Sequence, residues 1–312
     1  MKRFIIQTAG FVGVFFVLAL SLFFMTNNVI QNKATFKIKE DTQYVVFGHS
    51  HPECAYNDSL IQDFQNFGNS GESYFYTQTK LQQVLRQNPK IETVFIEFTN
   101  NQIAEGRNEW IWSDKHITNR YPTFEAFMEK GDHFLLLKNN FSGFVNSFSL
   151  SIKNNIGRII SGDYNFTPKL GGYLYLEKNK VDSFLMAQEK SPATISTQNI
   201  STLSIKYLEK MVAYCQSQNK KVVLLRSPQH SKCLALKNEA KFREILETKF
   251  SDIPFLDFNE FPTTNAEFAD LEHLNHKGAK RFSIWFNSLM QQGVMDAEDK
   301  QAFINTRMTA IN

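Results

Sequence analysis

The sequence predicts an α/β domain, a three-layer parallel sheet with helices on both faces, preceded by one N-terminal transmembrane helix. Three observations predict it. Short β-prone apolar runs at residues 44–47, 93–98, 221–225 and 254–258 alternate with longer stretches whose apolar residues recur at helical spacing, and that alternation buries parallel strands between helical layers. The 312 residues, 42% hydrophobic and 21% charged, are enough for one large domain or two small ones. Residues 4–25 form an apolar run about as long as the roughly 20 residues needed to cross a bilayer.

Lys2 and Arg3 precede that run, and Asn27, Asn28, Gln31 and Asn32 follow it. The positive-inside rule therefore places the amino end in the cytoplasm and the rest outside, in the periplasm or at the cell surface. A cleaved signal peptide has an apolar core of about 7 to 15 residues ending in small side chains, whereas this run ends Leu22-Phe23-Phe24-Met25-Thr26. An uncleaved anchor over residues 1–32 is expected, followed by an α/β domain over 33–312.

Residues 33–41 are a polar connector, and residues 44–47 open the sheet. Residues 60–67 and 74–85 read as helical or mixed material, and 93–98 (TVFIEF) as a strand. Residues 104–192 break the alternation and are rich in Asn, Gly and aromatics. They are expected to form an insertion or lid whose aromatics mainly fill a local core. The alternation resumes with a helix at 200–215, a strand at 221–225, a helix at 236–250 and a strand at 254–258. Phe282, Trp285, Phe286 and Leu289 then mark an amphipathic helix, and the tail after Gln291 reads as a short terminal helix.

The net charge of +3 comes from scattered Lys and Arg, with no basic face interleaved with aromatics, so no nucleic acid is expected as a partner. Cys54, Cys215 and Cys233 are odd in number and lack C-x-x-C spacing, which argues against a structural zinc site and a disulfide framework. Cys54 reads as packing.

Two distant segments carry chemistry. In Gly48-His49-Ser50-His51 the serine follows a buried strand, where the carboxyl ends of an open α/β sheet receive ligands. In Asp270-Leu271-Glu272-His273-Leu274-Asn275 an imidazole and a carboxylate lie three residues apart, the pair a serine hydroxyl needs to become a nucleophile. Ser50 can instead cap the next helix, and Asn275 can cap its own, leaving Asp270 and His273 as loop polar residues.

Together the segments resemble the SGNH (GDSL-type) hydrolase superfamily, over about residues 44–290, and specifically its membrane-anchored cell-envelope branch of esterases and O-acyltransferases. The resemblance implies a flavodoxin-like sheet, Ser50 as nucleophile, His273 as base and Asp270 as its partner. Residues 66–74 look like the second block of the family, which makes the Gly68 amide an oxyanion donor. The family's Asp after the first glycine is His49 here, and its G-x-N-D block is absent. The oxyanion asparagine carries over to Asn100 or Asn101, of which at most one can point inward on an extended chain. The substrate implied is an acylated glycan of the envelope or another small ester. A transferase would also need a membrane partner that delivers acyl groups. The alternative is an inactive module of the same architecture that binds envelope glycan or a partner protein.

Gly48-His49-Ser50-His51 also resembles the G-H-[ST]-H element of metallophosphoesterases, but only anchor and connector precede it, leaving no source for the other ligands. His49, His51, His273 and His276 can alternatively gather around Zn or Cu; the simpler expectation is that they flank the two motifs on exposed turns. No cofactor and no metal are expected.

Overall fold

The computed structural model describes residues 1–190 and 199–311. Pro192, the expected end of the aromatic insertion, lies outside the described residues. In chain order come α1 (Lys2–Lys33), β1 (Tyr44–Gly48), α2 (Ser50–Ala55), β2 (Phe64–Gly68), α3 (Tyr74–Gln87) and β3 (Thr93–Glu97). Next are α4 (Glu109–Trp112), α5 (Asp114–Phe124), α6 (Lys130–Asn139), α7 (Phe141–Ser161), α8 (Val181–Lys190) and α9 (Thr202–Ser217). The chain then forms β4 (Lys221–Arg226), α10 (Glu239–Lys249), β5 (Phe255–Asp257), α11 (His276–Gln291) and α12 (Lys300–Thr309). Two compact units result, one of 1–36 with 112–169 and the other of 37–111 with 170–312.

The second unit holds a five-stranded sheet in the order β2-β1-β3-β4-β5, every pair parallel. Side chains alternate across its faces. Val46, Phe95, Val223, Leu225 and Leu256 meet Phe282, Phe286 and Leu289 of α11 in one buried cluster. On the other face Phe47 stacks on Phe67, and α3 packs against α9 through Phe75 and Tyr207. Helices therefore cover both faces, as the near-continuous apolar strands require.

Over 60–67, expected to be helical or helix-and-strand, a short helical turn at Asp58–Leu60 leads into the edge strand β2. Only Phe64 and Phe67 are apolar in FQNFG, so the local pattern is too short to declare a strand, and pairing with β1 decides it. The φ of Gly48 is not positive, so no left-handed turn calls for glycine there. A Cβ there would instead lie 2.5 Å from Glu97 Cβ and 2.9 Å from Pro52 Cγ, so close packing at the ends of β1 and β3 is what demands glycine.

The chain leaves β1 toward β2 on one side and returns to β3 on the other. The loops after β1 and β3 therefore leave adjacent strands at the point where the strand order reverses, the place where open α/β sheets receive ligands.

In the first unit, α1 is long and apolar enough to cross a membrane, with its side chains largely exposed through Met25 and Thr26, Asn27 and Ile30 buried. Its last turns are built into this unit. Asn27 Nδ2 donates to Glu125 Oε1 at 2.6 Å and Asn155 Nδ2 to Asn27 Oδ1 at 2.8 Å, while Phe36 packs on Phe127 and Phe166. Tyr121, Phe124 and Phe166 are buried, whereas Phe134 is exposed.

Candidate active site

Ser50 is the first residue of α2, immediately beyond the carboxyl end of β1. Asn66 holds this corner in place: its Nδ2 donates to Pro52 O and Tyr56 O at 2.8 and 2.7 Å, and its Oδ1 accepts the Gly68 amide at 2.7 Å.

Asp270 and His273 lie in the loop before α11. Asn275 does cap that helix, accepting from the amides of Lys277 and Gly278 at 2.9 and 3.2 Å, while its Nδ2 donates to Ala266 O and Phe268 O. The Ala269 amide donates to His273 O at 2.8 Å. A capped helix and an ordered Asp-x-x-His loop therefore coexist, where the sequence offered them as alternatives.

The loop carries His273 across to the serine, with Nε2 2.7 Å from Ser50 Oγ and Nδ1 2.8 Å from Asp270 Oδ1. Asp270 Oδ1 also accepts the amides of Glu272 at 2.9 Å and His273 at 3.0 Å, and Lys178 Nζ lies 3.5 Å from Oδ2. Burial alone would raise the Asp270 carboxyl; the His273 hydrogen bond, the imidazolium charge, the Glu272 amide and Lys178 outweigh it and hold the group well below the usual carboxylate range.

His49 and His51 do not lie on exposed turns; both are buried, at 0% and 2% exposure. Burial holds His49 neutral, lowering its pKa well below the ordinary value, helped by the nearby His51. Its Nε2 is 3.1 Å from Thr99 Oγ1, and that hydroxyl donates to Asn101 Oδ1 at 2.8 Å. Because the threonine proton is committed to Asn101, His49 Nε2 must be the donor to Thr99. The same chain turns Asn101 so that Nδ2 faces His51 Nε2 at 3.4 Å. His51 itself sits between Glu97 Oε1 at 3.8 Å and Glu272 Oε2 at 3.9 Å, its ring 5.4 Å from that of His273. Burial opposes a charge on His51, but these two carboxylates raise its pKa, and His51 in turn draws Glu272 down to about 2.

The other expected oxyanion donors are not brought to this group. The Gly68 amide is spent on Asn66, and its α-carbon is pressed against α2, where a Cβ would lie 2.4 Å from the Glu53 nitrogen. Asn100 points the other way, into a buried ionic cluster: Nδ2 donates to Glu239 Oε2 at 2.8 Å and Oδ1 accepts from Arg226 at 3.0 Å. Of the two asparagines, which lie in the turn after β3 rather than on an extended chain, only Asn101 is on the histidine side.

Glu97, Thr99 and Glu272 were not singled out by the sequence. Glu97 did leave a signal, a lone carboxylate in a wholly buried strand, here accepting the Ser227 amide and hydroxyl at 3.0 and 2.7 Å. His276 stacks on Tyr175 at 4.7 Å and does not join His49 and His51. His49, His51 and Glu97, and separately His51, Glu272 and His273, bring ligand atoms within 4.8 Å of one another. A metal in the second set would have to take a His273 ring nitrogen from Ser50 or from Asp270. All three cysteines are free and buried, and burial pushes the Cys54 thiol up, away from nucleophilic thiolate.

A family model whose description names no activity matches residues 173–295, a segment that includes Asp270 and His273. No curated protein matches the chain. Similar solved structures include a provisionally assigned acylhydrolase from Bacteroides fragilis, at 13% identity and a TM-score of 0.36, covering 84% of this chain and 91% of that one. A GDSL-like lipase from Bacteroides thetaiotaomicron is similar at 8% identity and a TM-score of 0.35, over 83% and 92% of the respective chains.

Proposed function

We propose that this chain is a membrane-anchored SGNH-type serine hydrolase or O-acyltransferase that works outside the cytoplasm on acyl esters of envelope glycan, with Ser50, His273 and Asp270 as its triad. The single observation that carries the reading is the unbroken relay from Ser50 Oγ through both ring nitrogens of His273 to Asp270 Oδ1. A merely structural loop has no need to hold an imidazole between a half-buried hydroxyl and a carboxylate.

In the proposed reaction, Ser50 Oγ bonds to the ester carbonyl carbon as its proton passes to His273 Nε2. Asp270 stabilises the imidazolium. The tetrahedral intermediate collapses, the ester C–O bond breaks, and His273 returns the proton to the departing alkoxide. Water or a sugar hydroxyl then gives its proton to His273 and attacks the acyl-serine, which restores the Ser50 hydroxyl. The Ser50 amide and Asn101 Nδ2 are the proposed oxyanion donors. In this assignment the missing G-x-N-D asparagine is replaced by Asn101, aimed by the chain from His49 through Thr99.

The test is the full-length protein in detergent, incubated with an activated acetyl ester, with and without envelope glycan. Free acetate marks a hydrolase and acetylated sugar a transferase. If no acyl-serine forms while glycan still binds, the inactive binding module is correct instead.

A further inference from the structure

The first unit contains a concavity that ester chemistry does not use. Phe23, Phe24, Phe144 and Phe148 line a cleft of about 650 Å³ together with Asn28, Gln31, Lys130 and His133. Phe23 stacks on Phe148 at 4.4 Å, which holds α7 against α1 at this level. Phe141 and Val145 continue the apolar surface along α7, at 68% and 47% exposure.

The position of the cleft along α1 says what meets it. Residues 4–25 rise about 33 Å as a helix, close to the roughly 30 Å of a bilayer's hydrocarbon core. Phe23 and Phe24 therefore stand where acyl chains end. Asn28 and Gln31 lie about 6 to 12 Å further along the axis, at headgroup depth. Along α1 the lining of the cleft changes from Phe23 and Phe24 to Asn28 and Gln31 over this same interval. Asn27 and Glu125, joined by a hydrogen bond and tied through Asn27 to Asn155, also line it, and Lys130 is exposed.

We propose that this cleft binds a phospholipid of the leaflet at which α1 emerges, with one acyl chain along the four phenylalanines and the phosphate at Lys130. The proposal rests on the anchor reading of α1 and is independent of the triad. It makes the site a fixed lipid position at the membrane edge of the first unit, whereas the rest of α1 meets lipid without selection.

The experiment places the full-length protein in phosphatidylethanolamine vesicles carrying a small fraction of phosphatidylglycerol with a photoreactive diazirine in its acyl chain. Adducts are mapped on peptides. Wild type should be labelled at 141–148 as well as at 4–25. Lys130→Gln should cut the 141–148 adducts about fivefold, the worth of one phosphate-facing charge near a membrane, and leave those at 4–25 unchanged. Phe144→Trp, which fills the cleft without removing apolar surface, should reduce the same adducts while the thermal midpoint holds. Label confined to 4–25, or 141–148 adducts indifferent to both variants, would overturn the proposal. Absence of label at 4–25 would remove the anchor reading beneath it, and turnover of an ester substrate, scored separately, would be untouched by either result.

Discussion

Replacing Asp270 by Asn discriminates sharply, because the loop fixes which way the new amide points. Asp270 Oδ1 accepts three donors, the His273 ring and the amides of Glu272 and His273, while Oδ2 faces Lys178. In Asp270→Asn the carbonyl oxygen should take the Oδ1 position, since the flipped form would set an NH2 group against two backbone N–H donors. The imidazole then keeps its tautomer. What is lost is the negative charge that supports the imidazolium, worth about 4 kcal/mol for unit charges near 4 Å at an effective dielectric constant of about 20. Part of that returns through the neutral hydrogen bond, about 1 kcal/mol, so the barrier should rise by about 3 kcal/mol, or about 10²-fold in rate. A triad whose asparagine presents the wrong tautomer loses about 10⁴-fold. Hydrolysis of p-nitrophenyl acetate by full-length protein in detergent gives kcat for both forms. A loss of 10⁴-fold or more would refute the argument from the loop amides, and an unchanged rate would remove Asp270 from the mechanism.

Ser50→Ala should lower turnover by about 10³-fold or more with the fold intact, whereas Cys54→Ala should leave it unchanged; the opposite pattern reassigns the nucleophile. Asn101→Ala should cost about 10²- to 10³-fold in kcat, and Asn100→Ala should instead lower the melting temperature by loosening the Arg226–Glu239 cluster. Equal kinetic effects at both positions would contradict the assignment. His51→Ala should lower both stability and rate, because it strips the partner that draws Glu272 down to about 2; a neutral variant would restore the surface role the sequence suggested. Burial raises the Glu125 carboxyl to about 7, against the opposing Asn27 hydrogen bond, so between its ordinary range and pH 7 the folded state binds a proton that the unfolded state has lost. Stability should therefore fall as pH rises through that window, by about 3 kcal/mol in all, and Glu125→Gln should flatten the dependence of the denaturation midpoint on pH. Exhaustive chelation should leave ester hydrolysis unchanged, and activity lost to chelators and restored by Zn would move the site to metal chemistry.

The sequence by itself determined the parallel sheet and the apolar first helix, and it singled out Ser50 and a distant Asp-x-x-His as candidates for one site. Strands such as TVFIE and KVVLLR are wholly or almost wholly buried, so their apolar runs declare them without help from neighbours, and helical periodicity marks α11 in the same local way. The stretch holding β2 stayed open between helix and strand because FQNFG has no pattern of its own and becomes a strand only by pairing with β1. The polar half of the site was decided in three dimensions. Neither the Gly68 amide nor the Asn100 side chain could be known as occupied until Asn66, Arg226 and Glu239 were placed, because hydrogen bonds are a closed account among groups far apart in the chain. Burial of His49 and His51 was hidden for a related reason. Histidine is ordinarily a surface residue, and only the approach of Glu97, Thr99 and Glu272 from two other segments supplies the partners that let two imidazoles remain inside.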